Sequence, residues 1–339
     1  MRVSLVGGYG FVGHHLATAL DISGHQVQIV DNLMWNNLSS TMMQEDSFIN
    51  RLNRRFFDQR YQRMQFFTLE NVDARDENGL WNALDRFEPD HIVHLSAISS
   101  ALDAKAAPGL CFDLQLVTLK NVLEYARRFT ELHLGVTFMS SSTVYGDFKT
   151  ATVDESVRPN PKGIYASAKY MGERLLRCYN DQYGIDTTII RPSALYGERC
   201  VSRRVSQAFI ENALLGKPLL LEGGGSGKLD FTYIDDLIDG ICLAIENSGG
   251  TNTYNLTFGH ARTIRELANI VKEVVPEAIL EERPAAELKP KRGTLSTKRA
   301  EEELGFKPRW TLEMGYKQYC TWYKEQFATQ EKADRGPHV

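Results

Sequence analysis

The chain has 339 residues, and its 39 Lys and Arg against 43 Asp and Glu give a formal net charge of −4. This length predicts two domains or one elaborated domain, while ordinary proportions of hydrophobic (42%) and charged (24%) residues exclude disorder, collagen and coiled coil. A mildly acidic chain offers no basic field that could hold a phosphate backbone, so we predict no nucleic-acid partner.

The five cysteines form an odd set without a Cys-x-x-Cys pair, which favours neither a disulfide framework nor a zinc site. We therefore expect a reducing compartment and no bound metal. The sequence contains no apolar run of about 18 residues, and its first residues are typical of a strand rather than of a signal peptide. These features predict a cytoplasmic protein with no membrane partner.

Short apolar runs alternate with stretches of helical period along the first half of the chain, a pattern typical of an α/β fold with helices on both faces of a parallel sheet. The predicted strands are residues 3–6, 26–30, 64–69, 91–95, 134–139 and 187–191, and the predicted helices are residues 11–20, 78–87, 114–128 and 164–183. After about Tyr196, Gly-rich loops and scattered short elements replace this alternation. We therefore predict a Rossmann-type doubly wound parallel sheet with a smaller mixed α/β domain.

Residues 34–63 occupy about 30 positions where a minimal fold uses only a few, and they include a predicted Arg-rich helix at 48–60. An insertion of this kind either covers a site or builds a subunit contact. The sequence leaves both functions open.

Gly7, Gly10 and Gly13 follow the first predicted strand at intervals of three. This spacing is typical of a dinucleotide loop, where glycines allow a tight turn, a close approach of backbone to a pyrophosphate and helix packing. The following helix N-terminus then faces the anion. Asp31 ends the second strand, where a carboxylate can accept both hydroxyls of an adenosine ribose and repels a 2′-phosphate, so NAD is favoured over NADP. The alternative is a structural turn with a capping aspartate.

Ser140, Ser141 and Ser142 end the fifth predicted strand, and Tyr165 and Lys169 lie four residues apart on one face of a predicted helix. A cation near a phenol favours phenolate, which brings the tyrosine pKa towards the range of a general base. A serine hydroxyl at the strand end can hold the substrate hydroxyl that the tyrosine deprotonates. A tyrosine on a helix is more often part of the core, but these elements in this order favour catalysis.

With these motifs the chain resembles the extended short-chain dehydrogenase/reductases, the superfamily of nucleotide-sugar epimerases and dehydratases, over nearly its whole length. Further motifs that carry the resemblance are residues 94–97, 140–146, 195–197, 230–236 and 291–295. The resemblance implies tightly held NAD, Tyr165 as the base, Lys169 on the nicotinamide ribose and Ser141 as the hydroxyl partner. It also implies a homodimer with a four-helix interface formed by residues 114–128 and 164–183.

The resemblance further implies two sets of binding residues. The expected cofactor-binding residues are Gly7, Gly10, Phe11, Val12, Gly13, Asp31, Asn32, Asp73, Ala74, Leu95, Ala97, Tyr165, Lys169 and Pro192. The expected substrate-binding residues are Ser99, Ser142, Thr143, Ser193, Arg199, Arg203 and Arg292. We expect residues 1–192 and 233–248 to form the NAD-binding domain, residues 193–232 and 249–330 the substrate-binding domain, and residues 331–339 a disordered tail.

Ser142 and Thr143 stand where the 4,6-dehydratases that the chain resembles carry Asp-Glu, and the family's decarboxylases likewise keep a Glu just before the Val. Neither hydroxyl can shuttle a proton alone, which weakens the dehydratase and decarboxylase interpretations. The sequence therefore favours an NAD-dependent 4-epimerase, acting on a UDP-hexose or UDP-uronic acid through a 4-keto intermediate. The alternatives are a 4-ketoreductase or dehydratase of the same family, or a non-catalytic NAD-binding regulatory protein.

Gln115, Ala194 and Leu229 depart from the Asn, Asn and Arg that many family members carry near the substrate diphosphate. Three nearby arginines, at positions 199, 203 and 204, could supply the lost charge or meet a uronate, and the alternative is a solvated basic face. Cys200 is open to a role as an acid or as a small buried hydrophobe.

Overall fold

A computed structural model describes residues 1–34, 45–202, 204–285 and 290–335 of the chain. The strands are β1 (Arg2–Val6), β2 (Gln26–Val30), β3 (Thr68–Glu70), β4 (His91–His94), β5 (Gly135–Met139), β6 (Thr152–Val153), β7 (Thr187–Arg191), β8 (Leu195–Tyr196), β9 (Leu219–Glu222), β10 (Lys228–Leu229), β11 (Thr232–Tyr233), β12 (Thr251–Asn255), β13 (Arg262–Thr263), β14 (Leu280–Arg283) and β15 (Thr294–Leu295).

The α-helices of the described residues are α1 (Phe11–Ile22), α2 (Phe48–Met64), α3 (Glu77–Phe87), α4 (Ala101–Ala106), α5 (Pro108–Phe112), α6 (Thr118–Arg127), α7 (Ile164–Tyr183), α8 (Val205–Leu214), α9 (Ile234–Glu246), α10 (Ile264–Val274), α11 (Lys298–Leu304) and α12 (Leu312–Arg335). A π turn covers Asp113–Val117, and single 3₁₀ turns cover Thr130–Leu132, Ser142–Tyr145 and Gly223–Gly225. Within the described ranges, no helix is both long and apolar enough to cross a bilayer.

The central sheet has seven strands in the order β3-β2-β1-β4-β5-β7-β12, and every neighbouring pair is parallel. Its inner strands are buried on both faces, as expected for a parallel sheet covered by helices. The winding direction reverses between β1 and β4, and ligands of such sheets bind outside the strand carboxyl ends at this point. The predicted doubly wound fold is confirmed.

Two hydrophobic cores lie on opposite faces of this sheet. On one face, Leu5 and Ile29 pack with Leu16 of α1 and Leu237 of α9. On the other face, apolar residues of β4, β5 and β7 pack with α3, α6 and α7. The segment 233–248, which includes α9, thus packs on the central sheet through α1.

The prediction for the third strand is wrong in its position. Residues 64–69 read as an apolar run, yet Met64 is the buried last residue of α2 and the strand is Thr68–Glu70. The insertion helix predicted at 48–60 therefore exists and is one turn longer. Residues 35–44 of the insertion lie outside the described residues.

Three further expectations need correction. The helix predicted at 114–128 opens as the π turn Asp113–Val117 and is α-helical only over α6. It is also preceded by two helices that were not predicted, α4 and α5, which Pro108 separates because proline lacks the N–H that a continuous helix requires. Strand β12, placed in the substrate-binding domain by the sequence, pairs with β7 as the seventh strand of the central sheet. The tail expected to be disordered from 331 is helical to Arg335, where Asp334 accepts from Arg51 at 2.9 Å.

The insertion helix α2 packs inside its own chain. The rings of Phe48 and Phe327 lie 4.5 Å apart between centroids, and those of Phe56 and Trp322 lie 4.9 Å apart, so that α2 is held against α12. Phe56 is fully buried by this contact. The apolar face of α2 is therefore covered by the chain itself.

A buried ion pair joins α7 to β7. Arg191 donates to both carboxylate oxygens of Glu173, at 2.8 and 2.6 Å, and these side chains are 2% and 0% exposed. Ser140 donates to the same carboxylate at 2.6 Å, while Arg191 donates to the Tyr145 hydroxyl at 2.9 Å. Tyr145 in turn donates to Asn255 at 2.8 Å, at the end of β12. The network therefore joins five segments, namely the end of β5, the 3₁₀ turn Ser142–Tyr145, α7, β7 and β12.

Replacing Glu173 with Leu should destabilise the protein by about 3–5 kcal/mol, because it leaves the Arg191 cation buried without its partner. Urea unfolding measures this loss. The double variant Glu173→Leu/Arg191→Met removes both charges and should lose clearly less than the single variant. Equal losses in the two variants would contradict a stability cost that arises from the unpaired charge.

Candidate active site

A cavity of about 470 Å³ opens at the carboxyl ends of the central strands. Its lining includes Gly7 after β1, Asp31 after β2, Leu95 after β4, Ser141 after β5 and Pro192 after β7. The chain reverses its winding here, which is where the sheet topology predicts a ligand. The cavity therefore unites residues that are far apart in the sequence.

The glycine loop at one end of the cavity has no room for side chains. Gly7 has φ +83°, and a Cβ added there would lie 2.6 Å from the backbone nitrogen of Ser96. A Cβ on Gly13 would lie 2.2 Å from the carbonyl oxygen of Gly8, so helix α1 and the loop touch at this point. Gly10 differs, because its nearest neighbour would be the Gly7 carbonyl oxygen at 3.4 Å. The cavity side of Gly10 is thus open to a ligand.

The first turn of α1 faces this opening. Its N-cap is Gly10, which supplies no side-chain acceptor, so the backbone N–H groups of Phe11, Val12 and Gly13 remain free for an anion. Asp31 accepts from the backbone N–H of Tyr9 at 2.9 Å and of Leu33 at 2.8 Å. Burial raises the pKa of Asp31, while these two N–H groups oppose the rise. The arrangement fits a diphosphate on the helix and a ribose at Asp31.

Most of the other predicted cofactor residues also line the cavity. They are Phe11, Val12, Asn32, Leu95, Ala97, Tyr165, Lys169 and Pro192. Asp73 and Ala74 do not line it. The Asp73 carboxylate accepts from Asn32 at 3.1 Å and from Arg75 Nε at 3.0 Å, and the Arg75 hydrogen bond holds the Asp73 pKa below its usual range. Asp73 thus supports Asn32 from outside the cavity.

The three predicted catalytic residues meet at the centre of the cavity. Tyr165 and Ser141 both line the cavity, and the Ser141 hydroxyl accepts from Thr143 Oγ1 at 3.0 Å. The Lys169 ammonium is 6.0 Å from the centroid of the Tyr165 ring and donates to the Met139 carbonyl oxygen at 2.7 Å. Lys169 is 2% exposed, and burial lowers its pKa to about 7.

The expectation that Lys169, with the nicotinamide ring, lowers the pKa of Tyr165 stays a prediction. Burial raises the pKa of Tyr165, and the groups that oppose this rise are the Arg204 cation and the Ser141 hydroxyl. The physical reason is that the phenol is desolvated, while the Lys169 ammonium is directed to a backbone carbonyl. The charge of Arg204 therefore favours the phenolate form of Tyr165.

The predicted substrate residues divide into two groups. Ser99, Ser142, Thr143, Ser193 and Arg292 line the cavity. Arg292 donates to the Gly146 carbonyl oxygen at 2.8 Å, which fixes its guanidinium at the rim. Arg203 lies outside the described residues.

Arg199 does not line the cavity, contrary to the prediction. Its backbone has φ +61°, and its side chain turns to His14, where Nε lies 3.3 Å from His14 Nε2, and to the ring of Trp322. Burial and the nearby Arg63 lower the Arg199 pKa to about 10. The left-handed backbone conformation of Arg199 changes the direction of its side chain, and the spacing of residues in the sequence does not reveal this.

Some residues of the cavity were missed or left undecided by the sequence. Arg204 lines it and donates to the Ser99 carbonyl oxygen at 2.5 Å. Cys200 also lines it, and burial raises the pKa of this thiol, which donates to Ser202 at 3.3 Å. Gly8 lies outside the cavity lining and was also overlooked, although a Cβ there would meet Leu5 and Ile29 at 2.9 Å. Two adjacent glycines, Gly7 and Gly8, could have indicated that the backbone packs closely against β1 and β2 at this point.

Comparison with known proteins is consistent with this geometry. Residues 3–257 match the NAD dependent epimerase/dehydratase family. UDP-glucuronate 4-epimerase 1 of Arabidopsis thaliana is 29% identical over 98% of this chain and 79% of its own length. UDP-glucuronic acid decarboxylase 1 of Danio rerio is 27% identical over 97% of this chain and 74% of its own. A solved structure of Thermus thermophilus UDP-glucose 4-epimerase in complex with NAD is 25% identical, with a TM-score of 0.80 over 96% of this chain and 99% of the other.

The chain therefore belongs to the NAD dependent epimerase/dehydratase family, as its motifs predicted. Its cofactor is NAD, in agreement with the dinucleotide loop and with Asp31 at the end of β2. The residues present fit this cofactor, since the loop is open at Gly10, where an added Cβ would meet nothing closer than 3.4 Å, and α1 presents uncapped N–H groups.

Two glycine variants separate the fold of the loop from its ligand. Gly13→Ala should lower the melting temperature strongly, because its Cβ collides with the Gly8 backbone. Gly10→Ala should stay folded yet bind NAD at least about tenfold more weakly, because its methyl group occupies the anion face. Thermal melting and NAD titration of protein freed of nucleotide test both variants. Tight NAD binding by Gly10→Ala would contradict the placement of the diphosphate.

Lys169 should make stability depend on pH. Its pKa falls from an ordinary value of 10.5 in the unfolded chain to about 7 in the folded one. The cost of burying the cation is therefore complete below pH 7 and disappears as the pH rises from 7 to 10.5. In nucleotide-free protein, Lys169→Met should be more stable than the parent by on the order of a few kcal/mol at pH 6.5, with a smaller gain at pH 9.5.

Urea unfolding at these two pH values measures the difference, with the exposed Lys217→Met as the matched control. A gain that is independent of pH in Lys169→Met would contradict the lowered pKa.

Proposed function

We propose that the protein is an NAD-dependent nucleotide-sugar 4-epimerase, which oxidises C4 of a UDP-sugar and reduces the 4-keto intermediate from the opposite face. The observation that supports it best is the acid–base content of the cavity. Among the described residues that line it, Asp31 is the only carboxylate, and it lies at the adenosine end. Eliminating water from the sugar requires an acid and a base beside C5 and C6, and the Ser142 and Thr143 hydroxyls do not supply them.

The chain's own residues provide the proton chemistry at C4. Tyr165 takes the proton of the C4 hydroxyl and later returns it, while Ser141 holds that hydroxyl in place. The cation of Arg204 opposes the rise in the Tyr165 pKa that burial causes, which favours the phenolate form of the base. Lys169, fixed on the Met139 carbonyl, lies where it can bond the nicotinamide ribose. Bound NAD supplies the hydride acceptor and the hydride donor.

Arg204 also favours a uronic acid over a neutral hexose as the sugar. Its guanidinium lines the cavity close enough to Tyr165 to influence the phenol, and a guanidinium is the preferred partner of a carboxylate. Arg292 lies with the Ser142 and Gly146 carbonyl oxygens at the rim, where it can contact the diphosphate. The two cations thus supply local attraction for an anionic substrate in a chain with net charge −4.

We further propose that the enzyme acts as a cytoplasmic homodimer through a four-helix interface. The helices in question expose apolar side chains, with Met171 of α7 49% exposed and Val117, just before α6, 38% exposed. All five cysteines are free thiols, which agrees with a reducing compartment.

The test is incubation of the purified protein with UDP-glucuronic acid, UDP-glucose and other UDP-, GDP- and dTDP-sugars, without added cofactor. Interconversion of C4 epimers at constant mass, fastest with UDP-glucuronic acid, is expected. Tyr165→Phe should lose about 10²–10⁴-fold in turnover while it keeps its NAD, because the variant lacks only the proton acceptor. Chromatography and mass spectrometry of the products measure both.

Three results would contradict the proposal. Loss of CO₂ or water from the sugar would indicate a decarboxylase or dehydratase. Turnover only after reduced cofactor is added, with its net consumption, would indicate a 4-ketoreductase. Bound NAD without turnover on any of these sugars would indicate a regulatory protein. Tyr165→Leu serves as the matched control, since it should be as inactive as Tyr165→Phe if the hydroxyl alone carries the proton.

A further inference from the structure

A chain of hydrogen bonds runs from the insertion helix to the glycine loop. Arg60 of α2 donates through Nε, at 3.1 Å, and through Nη2 to the backbone carbonyl oxygen of Arg199. The Arg199 side chain donates from Nε to His14 Nε2 at 3.3 Å, and His14 Nδ1 lies 3.1 Å from the Gly10 carbonyl oxygen. These hydrogen bonds connect Arg199 to Arg60, which is 139 residues away in sequence, and to His14, which is 185 residues away.

His14 can act in only one tautomer in this chain. A carbonyl oxygen accepts and an Arg Nε–H donates, so Nδ1 carries the hydrogen and donates to Gly10, while Nε2 accepts from Arg199. Burial, together with the nearby His15, Arg60 and Arg199, holds the His14 pKa well below its usual range, so the ring is neutral as this role requires. The His14 ring therefore fixes the position of the Arg199 side chain relative to the Gly10 carbonyl.

Arg199, in the middle of this series of hydrogen bonds, directly precedes a segment that lines the cavity. Arg199 has φ +61°, a conformation that is strained for a residue with a side chain. The next three residues, Cys200, Val201 and Ser202, line the cavity beside Arg204. His15 Nε2 also contacts the Glu198 carbonyl oxygen at 3.3 Å. We call residues 199–202 the wall loop.

We propose that Arg60 and Arg199 are positioning residues that hold the wall loop against the glycine loop, so that substrate affinity and NAD retention depend on the insertion helix. The substrate part of this inference rests on the proposed function. Arg60 is 1% exposed, and its guanidinium lies 4.8 Å from the centroid of the Phe57 ring. A cation this deeply buried costs free energy, and the Arg199 carbonyl is its hydrogen-bond acceptor. Helix α2 therefore serves the site through the wall loop, and none of its own described residues lines the cavity.

The test compares Arg60→Met, which removes both donors, with Arg51→Gln, which removes a surface charge from the same helix. Arg51 pairs with Asp46 and Asp334 and has no contact with the wall loop among its described partners. In Arg60→Met, we expect KM for the UDP-sugar to rise about tenfold with kcat within about threefold of the parent, because Tyr165 and Ser141 are untouched. NAD should leave the purified holoenzyme several times faster. Arg51→Gln should match the parent in all three.

Arg199→Gly is the second variant, because glycine adopts φ +61° without strain and the variant loses the Arg199 side-chain contacts to His14 and Trp322 while it keeps the backbone carbonyl that Arg60 uses. It should also release NAD several times faster, even if Arg60→Met does not fold. A lower melting temperature with parental KM and parental NAD release in these variants would overturn the inference. If the parent itself converts no sugar, the proposed function fails, and NAD release alone decides whether the wall loop is positioned in this way.

Discussion

The buried bond between Glu173 and Arg191 is the constraint on which the rest of the active site depends. A buried charge is stable only when its hydrogen bonds are complete, so this pair admits one relative arrangement of β5, α7, β7 and β12. The catalytic residues are attached directly to it. Ser141 follows Ser140, which donates to the Glu173 carboxylate, and Lys169 lies one helical turn before Glu173. The positions of Ser141 and Lys169 thus depend on the hydrogen bonds of the buried Glu173–Arg191 pair.

The cavity above this network is cationic within an acidic protein. Lys169, Arg204 and Arg292 line it, against Asp31 as the only carboxylate among its described residues. None of these cations forms a tight carboxylate pair there; each donates to a backbone carbonyl oxygen. Backbone oxygens hold the cations in place without neutralising them, so their charge remains available to an anionic ligand. Binding therefore rests on local donors, because the net charge of the chain supplies no attraction.

The sequence predicted those features that are encoded locally. Three glycines after a strand, or Tyr165 and Lys169 on one helical face, are defined within a few residues, and they lie where expected. Tertiary features were not predictable in this way. The direction of Arg199 follows from a left-handed backbone and a distant histidine, and the pKa of Tyr165 follows from burial. The third strand was misplaced because an apolar residue such as Met64 suits the end of a buried helix as well as a strand.

Arg60 donates to a carbonyl 139 residues later in the sequence, and this contact limits which segments of the protein can be exchanged. Surface insertions are ordinarily exchanged or shortened with little effect, because both their ends return to the same place. Here the insertion carries the donor for a carbonyl in another part of the fold. A chimaera that carries the wall loop of this protein without its helix α2 would keep the strained backbone of Arg199 but lose the Arg60 hydrogen bonds that hold it. Helix α2 and the wall loop can therefore be exchanged only together.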